Sequence, residues 1–263
     1  FCVPNSSEQL VQAAAPCREA GLRIYWLGKG SNVLFSDEGF DGAVILVSEG
    51  IGEVHAEGNV LHAGAGASME RVCLCALDHG LTGLEFAYGI PGSVGGAVYM
   101  NAGAYGGEIK DVLKCASFLD EHGEVKTLPA SELALGYRTS IFETHPWCIL
   151  SAEFALAPGN KKAIVAQMET LAQKRQEKQP LEMPSAGSTF KRPQGAFAGA
   201  LIEQCGLRGF AVGGAAISQK HCGFVVNTGG ATCQDVVNLT DRVIEIVKKQ
   251  TGYTLEREIR VVK

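Results

Sequence analysis

Residues 89–107 of the sequence read GIPGSVGGAVYMNAGAYGG, and eight glycines fall between Gly83 and Gly107. Ordering so many small residues costs backbone entropy, so packing or a ligand must stabilise the segment. One interpretation is a loosely ordered linker. The mixture of apolar and small residues instead favours a buried loop whose backbone lies against a ligand. A large, flat cofactor that carries a diphosphate fits such a loop.

Two shorter glycine loops precede this segment. The first, LGKGSNVL at residues 27–34, follows a predicted strand. Gly28 and Gly30 permit backbone conformations that direct successive N–H groups at an anion, and the serine and asparagine that follow add side-chain donors. It is neither a P-loop nor a Rossmann fingerprint, since Val33 stands where the third glycine would be. The second loop, GAGAS at residues 64–68, opens a predicted helix whose N-terminus would attract anions. A plain turn and tight strand–helix packing are the respective alternatives.

The composition is that of a globular protein with a substantial core. The chain has 263 residues, of which 46% are apolar and 19% charged, so global disorder is excluded. A net charge of −5 and the absence of a Lys/Arg block argue against a nucleic-acid or anionic-membrane surface. No apolar run reaches the roughly 18–20 residues of a membrane span, and no secretory segment opens the chain. Because Phe1 and not Met comes first, we expect the chain to begin within a domain.

The cysteine pattern argues against both a disulfide framework and a zinc site. The number of cysteines is odd, and no Cys-x-x-Cys pair occurs. We therefore expect scattered, mostly buried thiols in a reducing cytosol. The nine cysteines are Cys2, Cys17, Cys73, Cys75, Cys115, Cys148, Cys205, Cys222 and Cys233.

Hydrophobic periodicity and turn residues predict the mixture of helices and short strands that is typical of an α/β or α+β protein. Predicted helices cover residues 6–21, 68–79, 160–179, 197–205 and 232–250. Predicted strands cover residues 22–27, 33–35, 43–47, 148–156, 223–227 and 254–262, and predicted hairpins cover 51–63 and 112–128. Residues 185–193 are predicted to be a polar loop. After Pro180, which ends the predicted helix, the sequence becomes a polar loop, and this change predicts a domain boundary near residues 180–185.

Five segments resemble the motifs of the UDP-N-acetylenolpyruvoylglucosamine reductase (MurB) family: residues 28–34, 89–107, 136–140, 187–191 and 255–260. They occur in the family's order, and the similarity extends over essentially the whole chain. The resemblance implies an α+β protein with the FAD-binding fold of the vanillyl-alcohol oxidase and p-cresol methylhydroxylase flavoproteins.

The resemblance also implies a division of the chain into two regions. Residues 1–182 would form the FAD-binding region, with subdomains at about 1–50 and 51–182. A strand at residues 254–263 would return to complete the second of these subdomains. Residues 183–253 would form the C-terminal subdomain that binds the substrate.

FAD is the cofactor that the resemblance implies, with NADPH as the hydride donor. Residues 28–34 contain no histidine, so the covalent flavin tether of some relatives of this fold is not expected. The residues expected to contact FAD lie in the glycine loops and at the end of the chain: Gly28, Lys29, Gly30, Ser31, Asn32, Val33, Leu34, Gly64, Gly89, Ile90, Pro91, Gly92, Ser93, Gly95, Gly96, Asn101, Ala102, Gly103, Ala104 and Arg260.

The implied reaction is the reduction of UDP-N-acetylglucosamine enolpyruvate to UDP-N-acetylmuramate, a step of peptidoglycan precursor synthesis in the bacterial cytoplasm. Arg138 would bind the substrate carboxylate through its guanidinium fork and stabilise the charge that develops there. Ser188 would donate a proton to C2, and Glu258 would polarise the substrate or assist protonation. Without the resemblance, these residues could be a surface salt-bridge arginine, a turn serine and a glutamate on a solvent-facing edge.

Strand alternation gives Glu258 a second, independent reason for attention. It places Glu256, Glu258 and Arg260 on one face of the last predicted strand, and Leu255, Arg257, Ile259 and Val261 on the other. One face with three charges is unusual late in a strand that looks buried, because charges in a core require partners.

Candidate substrate contacts are the aromatic and basic residues beside these motifs: Tyr137, Lys191, Arg192 and Lys220, with His221 adjacent. The interval between Arg138 and Ser188 contains no tyrosine, which resembles the shorter class of the family that lacks a substrate-covering tyrosine loop. The expected partners are the enolpyruvyl substrate and NADPH, without nucleic acid, metal or a membrane span. The alternatives are another FAD-dependent oxidoreductase of this fold, acting on a sugar or hydroxy acid, and a binding protein that retains the FAD loops.

Overall fold

The computed structural model describes residues 1–263, whose contacts divide the chain into two compact units. Unit 1 comprises Phe1–Lys29 and Gly42–Gln173, and unit 2 comprises Gly30–Asp41 and Lys174–Lys263. The helices are α1 (Ser7–Glu19), α2 (Met69–Asp78), α3 (Val94–Tyr99), α4 (Lys161–Lys178), α5 (Ala198–Gln204) and α6 (Cys233–Thr251). The strands are β1 (Ile24–Leu27), β2 (Val33–Phe35), β3 (Ala43–Leu46), β4 (Val54–Glu57), β5 (Val60–Gly64), β6 (Leu81–Thr82), β7 (Gly103–Ala104), β8 (Gly107–Glu108), β9 (Leu113–Leu119), β10 (Val125–Pro129), β11 (Cys148–Ala155), β12 (Ala157–Pro158), β13 (Ser185–Ser188), β14 (Ala211–Val212), β15 (Ala215–Ile217), β16 (Phe224–Asn227) and β17 (Arg260–Val262).

The main sheet of unit 1 has five antiparallel strands in the order β10-β9-β11-β5-β4. Because side chains alternate between the two faces of a strand, one face supplies the core, where Leu61, Phe118 and Phe154 are buried. The two predicted hairpins are confirmed as the β4–β5 and β9–β10 pairs. Gly58 and Gly123 close their turns with positive φ angles of 59° and 84°, a conformation that glycine adopts at little cost.

Side-chain caps define the starts of the helices in unit 1. The Ser68 hydroxyl accepts a hydrogen bond from the Arg71 N–H (3.2 Å) where α2 begins, as the sequence predicts. Helix α3 lies inside residues 89–107, where the sequence analysis predicts only a loop. Ser93 caps it by accepting a hydrogen bond from the Gly96 N–H (3.4 Å). The prediction missed this helix because two of its six residues are glycine, a poor helix former.

Unit 2 contains a four-stranded antiparallel sheet in the order β13-β16-β15-β14. Helices α5 and α6 contribute the fully buried Ile202, Leu239 and Val243 to the core of this unit. The Asp37 carboxylate accepts hydrogen bonds from the first N–H groups of α6, those of Cys233 (2.7 Å) and Gln234. This carboxylate at a helix N-terminus fixes residues 30–41 to α6.

The last strand differs from its prediction in both length and partner. Strand β17 comprises only Arg260–Val262 and pairs in parallel with β2 inside unit 2, rather than completing residues 51–182. The division between the units also falls inside α4, between Gln173 and Lys174, and so before residues 180–185. An alternating pattern predicts a strand but not its partner, because pairing joins segments that are distant in the sequence.

None of the helices combines the length and the apolar character that a membrane crossing requires. All nine cysteines are free thiols. Four of them, Cys73, Cys148, Cys222 and Cys233, are buried, and the other five are partly buried, so the expectation of mostly buried thiols is too strong.

Candidate functional site

The glycine loops at residues 64–68 and 89–107 meet in unit 1. The N–H groups of Val94 and Gly95 donate to the carbonyls of Ala67 (2.9 Å) and Ala65 (2.8 Å). These bonds use the donors at the start of α3, so this short helix offers few free N–H groups to an anion. Gly64 also serves packing, since a Cβ at that position would lie 2.3 Å from the Ile51 carbonyl oxygen.

Gly28 joins the same group of loops. A Cβ on Gly28 would lie 2.6 Å from the Ser93 Oγ, so a larger residue here would force the hydroxyl that caps α3 to move. Three segments that are far apart in the sequence therefore converge in unit 1. This convergence is what a single extended cofactor would require of the three predicted FAD loops.

The free backbone donors lie at the first loop. The N–H groups of Gly28, Lys29, Gly30 and Ser31 donate to no acceptor within the chain, and Gly30 has a positive φ of 69°. Unpaired N–H groups in glycine conformations are suited to bind phosphate oxygens. The donor set therefore fits the diphosphate of FAD. The Lys29 ammonium is less available to bind phosphate oxygens, because it forms an ion pair with Glu49 at 3.2 Å.

Asn101 is fully buried in an uncommon backbone conformation, with a φ of 42°. Its amide donates to the Gly136 carbonyl (2.8 Å) and to Glu108 Oε2 (2.9 Å), and its carbonyl oxygen accepts from the Lys110 N–H. Both hydrogens of this amide are used inside the protein. The side chain, predicted to contact FAD, therefore holds the backbone two residues before Arg138.

Arg138 lies in unit 1, in a left-handed conformation with a φ of 57°. Its Nη2 donates to the Gly103 carbonyl at 3.0 Å, and its guanidinium lies 5.1 Å from the centre of the Tyr137 ring. The Lys110 ammonium, assisted by Asn101 and Arg138, lowers the pKa of the nearby Glu108 carboxyl. The hydrogen bond to Gly103 thus holds the guanidinium at a defined place.

Ser188 and Glu258 come together in unit 2. The Glu258 N–H donates to the carbonyl of Thr189 (2.8 Å), and the Asn32 side chain donates to the Glu258 carbonyl (3.1 Å). Ser188 ends β13 after an irregularity in the strand that includes Gly187, whose φ is 77°. Thr189 is buried, so alternation directs the neighbouring Ser188 side chain outward, and Ser188 is exposed.

A cavity of about 250 Å³ in unit 2 lies beside these residues. Its walls include Gly30 and Leu34 from the first glycine loop, Ala186 and Thr189 from the β13 region, and Ile259 from the last segment. The Arg260 N–H donates to the Asn32 carbonyl at 3.0 Å and ties the last segment to the same loop. Three predicted cofactor residues, Gly30, Val33 and Leu34, therefore line this cavity, together with Thr189 and Ile259, the chain neighbours of Ser188 and Glu258.

Three of the predicted substrate contacts, Lys191, Lys220 and Arg192, interact with other residues of the protein. The Lys191 ammonium pairs with Glu256 at 2.5 Å, and the Lys220 ammonium donates to the Gln176 carbonyl at 2.7 Å. The Arg192 guanidinium lies 4.4 Å from the centre of the Phe197 ring, and that ring is 61% exposed. Burial lowers the pKa of His221, which favours the neutral imidazole.

Comparison with known proteins agrees with both units. Residues 179–262 match the model of the UDP-N-acetylenolpyruvoylglucosamine reductase C-terminal domain, and residues 1–129 match an FAD binding domain. A reductase of that name from Lachnoclostridium phytofermentans is 48% identical over 100% of this chain and 86% of its own length. A Clostridium botulinum relative is 48% identical over 98% of this chain and 85% of its own.

The same likeness holds at the level of structure. The crystal structure of UDP-N-acetylenolpyruvylglucosamine reductase from Thermus caldophilus superposes with a TM-score of 0.83 and 34% identity, covering 100% of this chain and 91% of that one. The resemblance found in the sequence, the α+β class and the FAD-binding fold are thereby confirmed. The chain belongs to the UDP-N-acetylenolpyruvoylglucosamine reductase family of FAD-containing oxidoreductases.

Proposed function

We propose that Arg138, Ser188 and Glu258 act directly on the substrate in the reaction that this chain catalyses as a member of its family. That reaction reduces UDP-N-acetylglucosamine enolpyruvate to UDP-N-acetylmuramate for peptidoglycan synthesis, with NADPH as the electron source. When bound, FAD supplies the hydride-transfer chemistry between NADPH and the substrate. The protein must position the substrate, stabilise the developing negative charge and deliver one proton.

Arg138 is proposed to bind the carboxylate of the enolpyruvyl group. A guanidinium can bind both oxygens of a carboxylate, and the interaction strengthens as negative charge spreads into that group. The hydrogen bond to the Gly103 carbonyl at 3.0 Å supports this role, because it restricts the guanidinium before the substrate arrives. Asn101 acts as a positioning residue through the Gly136 carbonyl.

Ser188 is proposed to donate the proton that C2 of the substrate receives. A hydroxyl is a weak acid, but a carbanion-like carbon is a strong enough base to accept its proton. Glu258 would polarise the substrate or assist that transfer. The observation that carries this proposal is the 2.8 Å hydrogen bond from the Glu258 N–H to Thr189, which brings Glu258 beside Ser188.

The N–H groups of residues 28–31 are proposed to hold the FAD diphosphate, because they have no acceptor within the chain. Arg192 and Tyr137 are the preferred contacts for the uridine diphosphate part of the substrate. Both residues are exposed, and each takes part in a cation–π contact, Arg192 with Phe197 and Tyr137 with Arg138. The nine free thiols suit the bacterial cytoplasm, which we propose as the location.

Separating the two half-reactions tests these roles. The FAD-loaded protein is reduced anaerobically with NADPH, and UDP-N-acetylglucosamine enolpyruvate is then added while the visible flavin absorbance is followed. We expect Ser188→Ala to bleach at nearly the wild-type rate and to regain its colour much more slowly. Ser185→Ala removes a hydroxyl from the same strand and serves as the matched control.

Equal slowing of both half-reactions by Ser188→Ala would assign Ser188 a structural role. A wild-type protein that bleaches but is not reoxidised by this substrate would support the alternative, a flavin oxidoreductase with another acceptor. Normal reoxidation in Glu258→Gln or Arg138→Ala would remove that residue from the proposed mechanism.

A further inference from the structure

Two histidines and a glutamate lie together on the solvent-facing side of the five-stranded sheet of unit 1. His55 on β4 and His62 on β5 are directly opposite in the hairpin register, and Glu57 follows His55 on the same face. The imidazole rings stack with their centres 4.9 Å apart and their planes within 10° of parallel. One donor atom from each of the three residues lies within 4.8 Å of the other two.

The two imidazoles present the same nitrogen to the carboxylate between them. His55 Nε2 lies 3.8 Å from Glu57 Oε1, and His62 Nε2 lies 3.9 Å from Glu57 Oε2. The opposite nitrogens face other carboxylates, with His62 Nδ1 3.6 Å from Glu153 and His55 Nδ1 3.9 Å from Glu53. Histidine ligands of metals commonly donate from the second nitrogen to a carboxylate that orients the ring, and both imidazoles have a carboxylate within ion-pairing distance of that nitrogen.

We propose that His55, Glu57 and His62 bind a divalent transition-metal ion of the Zn²⁺ class, with water completing the coordination. Two imidazole nitrogens and one carboxylate oxygen form a donor set that Zn²⁺ prefers. Cysteine spacing gives no sign of this site, because its ligands are two histidines and a glutamate on the two strands of one hairpin.

Small side-chain movements complete the geometry. Metal–ligand bonds of about 2.0–2.2 Å in a tetrahedral site place neighbouring ligand atoms about 3.3 Å apart. The two separations between an imidazole nitrogen and a Glu57 oxygen, 3.8 and 3.9 Å, are about half an ångström longer than that. The two imidazole nitrogens lie within 4.8 Å of each other, and the stacked rings must tilt to bring both nitrogens onto one ion. The His55 side chain is 49% exposed and that of Glu57 is 73% exposed, so both can rotate without disturbing the core.

The charge around the cluster also favours a cation. Glu53, Glu57 and Glu153 surround the two imidazoles, and the Lys114 ammonium pairs with Glu153 at 2.9 Å. The Lys114 ammonium therefore neutralises one of the three negative charges, that of Glu153, and holds this carboxylate beside His62. Glu153 is a positioning residue in this proposal, and the three ligands are on the two strands of one hairpin.

Calorimetric titration of the FAD-loaded full chain with ZnCl₂ tests the site. The thiols of the protein can bind Zn²⁺ as well, so the measured quantity is the difference between variants. We expect the double variant His55→Ala/His62→Ala to bind one Zn²⁺ fewer per chain than the wild type. His122→Ala is the matched control, because His122 is another exposed histidine near a carboxylate, 4.0 Å from Glu121, in the turn of a different hairpin.

Changes at Glu57 keep the test valid if the double variant folds poorly. We expect Glu57→Gln to weaken this site at least tenfold, and Glu57→His, which again supplies a third ligand, to retain it. Normal bleaching of the flavin by NADPH confirms that each variant is folded. The proposal is overturned if the folded double variant, or Glu57→Gln, binds Zn²⁺ as the wild type does, or if His122→Ala loses the same site.

Discussion

Replacing Asn101 with aspartate tests how the Arg138 segment is held. The Asn101 amide donates to the Gly136 carbonyl at 2.8 Å and to Glu108 Oε2 at 2.9 Å, and the side chain is fully buried. Aspartate would place an acceptor oxygen against two acceptors. The introduced carboxylate and that of Glu108 would repel each other strongly at this distance, about 6 kcal/mol even at an effective dielectric constant of 20.

The Asn101→Asp variant can avoid this repulsion by binding a proton in the folded state. For a carboxyl of ordinary pKa, protonation at pH 7 costs about 4 kcal/mol, which sets the expected loss in the free energy of unfolding. The pKa of the new carboxyl would be raised by folding. The free energy of unfolding of Asn101→Asp is therefore highest below the unfolded-state pKa of the new carboxyl and falls as the pH rises. The difference in stability between the variant and the wild type should accordingly shrink as the pH is lowered towards 4.

The same substitution should impair the substrate step. Asn101 holds the Gly136 carbonyl two residues before Arg138, and a displacement of about 1 Å at a substrate-binding group can cost about 100-fold in rate. We expect reoxidation of the reduced flavin by the enolpyruvyl substrate to slow by about that factor, while reduction by NADPH changes little.

Guanidinium unfolding of the FAD-loaded protein at pH 7 and pH 5 measures the stability, and anaerobic stopped-flow absorbance measures the two half-reactions. Asn59→Asp, a change in an exposed hairpin turn, is the matched control. The reasoning is refuted if Asn101→Asp unfolds within about 0.5 kcal/mol of the wild type and its flavin is reoxidised normally.

Gly28→Ala would place a methyl group 2.6 Å from the Ser93 Oγ, so we expect a lower ratio of flavin to protein absorbance after purification, partly restored in Gly28→Ala/Ser93→Ala. Unchanged flavin content in the single variant would contradict the role of this close approach. The Lys126 ammonium, with two backbone N–H groups, lowers the pKa of Asp120 to about 2. Because the folded-state pKa is the lower one, the stabilisation is full above about pH 4 and is lost as the pH falls towards 2. Asp120→Asn should therefore lower the thermal midpoint more at pH 7 than at pH 2.5, and an equal loss at both would exclude this charge effect.

Local sequence patterns predicted most elements of the fold. The Ser68 cap, the hairpin turns at Gly58 and Gly123, and the apolar alternation of β11 all act between residues that are close in the chain. Helix α3 is the instructive exception. Its glycines lower the intrinsic helix propensity, and the helix depends on bonds to residues 65 and 67 that the local pattern does not contain.

The sequence predicted which residues would act in the candidate site, but not which residues hold them in position. The motifs singled out Arg138, Ser188 and Glu258, whose roles remain predictions. No pattern indicated that the Asn101 amide holds Gly136, because a buried asparagine in a glycine-rich loop looks like any turn residue. The signal that could have found it is the left-handed backbone conformation, which asparagine tolerates better than most residues, but that is visible only in the structure.

The sequence by itself determined the family and the α+β class from its motifs, and the caps and turns from neighbours within a few residues. Only the tertiary structure decided that Gly28 contacts Ser93 and that β17 pairs with β2. These contacts form between segments that are distant in the sequence. They depend on which of those segments can form hydrogen bonds with one another and bury one another's apolar faces. The pairing of distant segments depends on the packing of the whole chain, so it cannot be predicted from a short stretch of sequence.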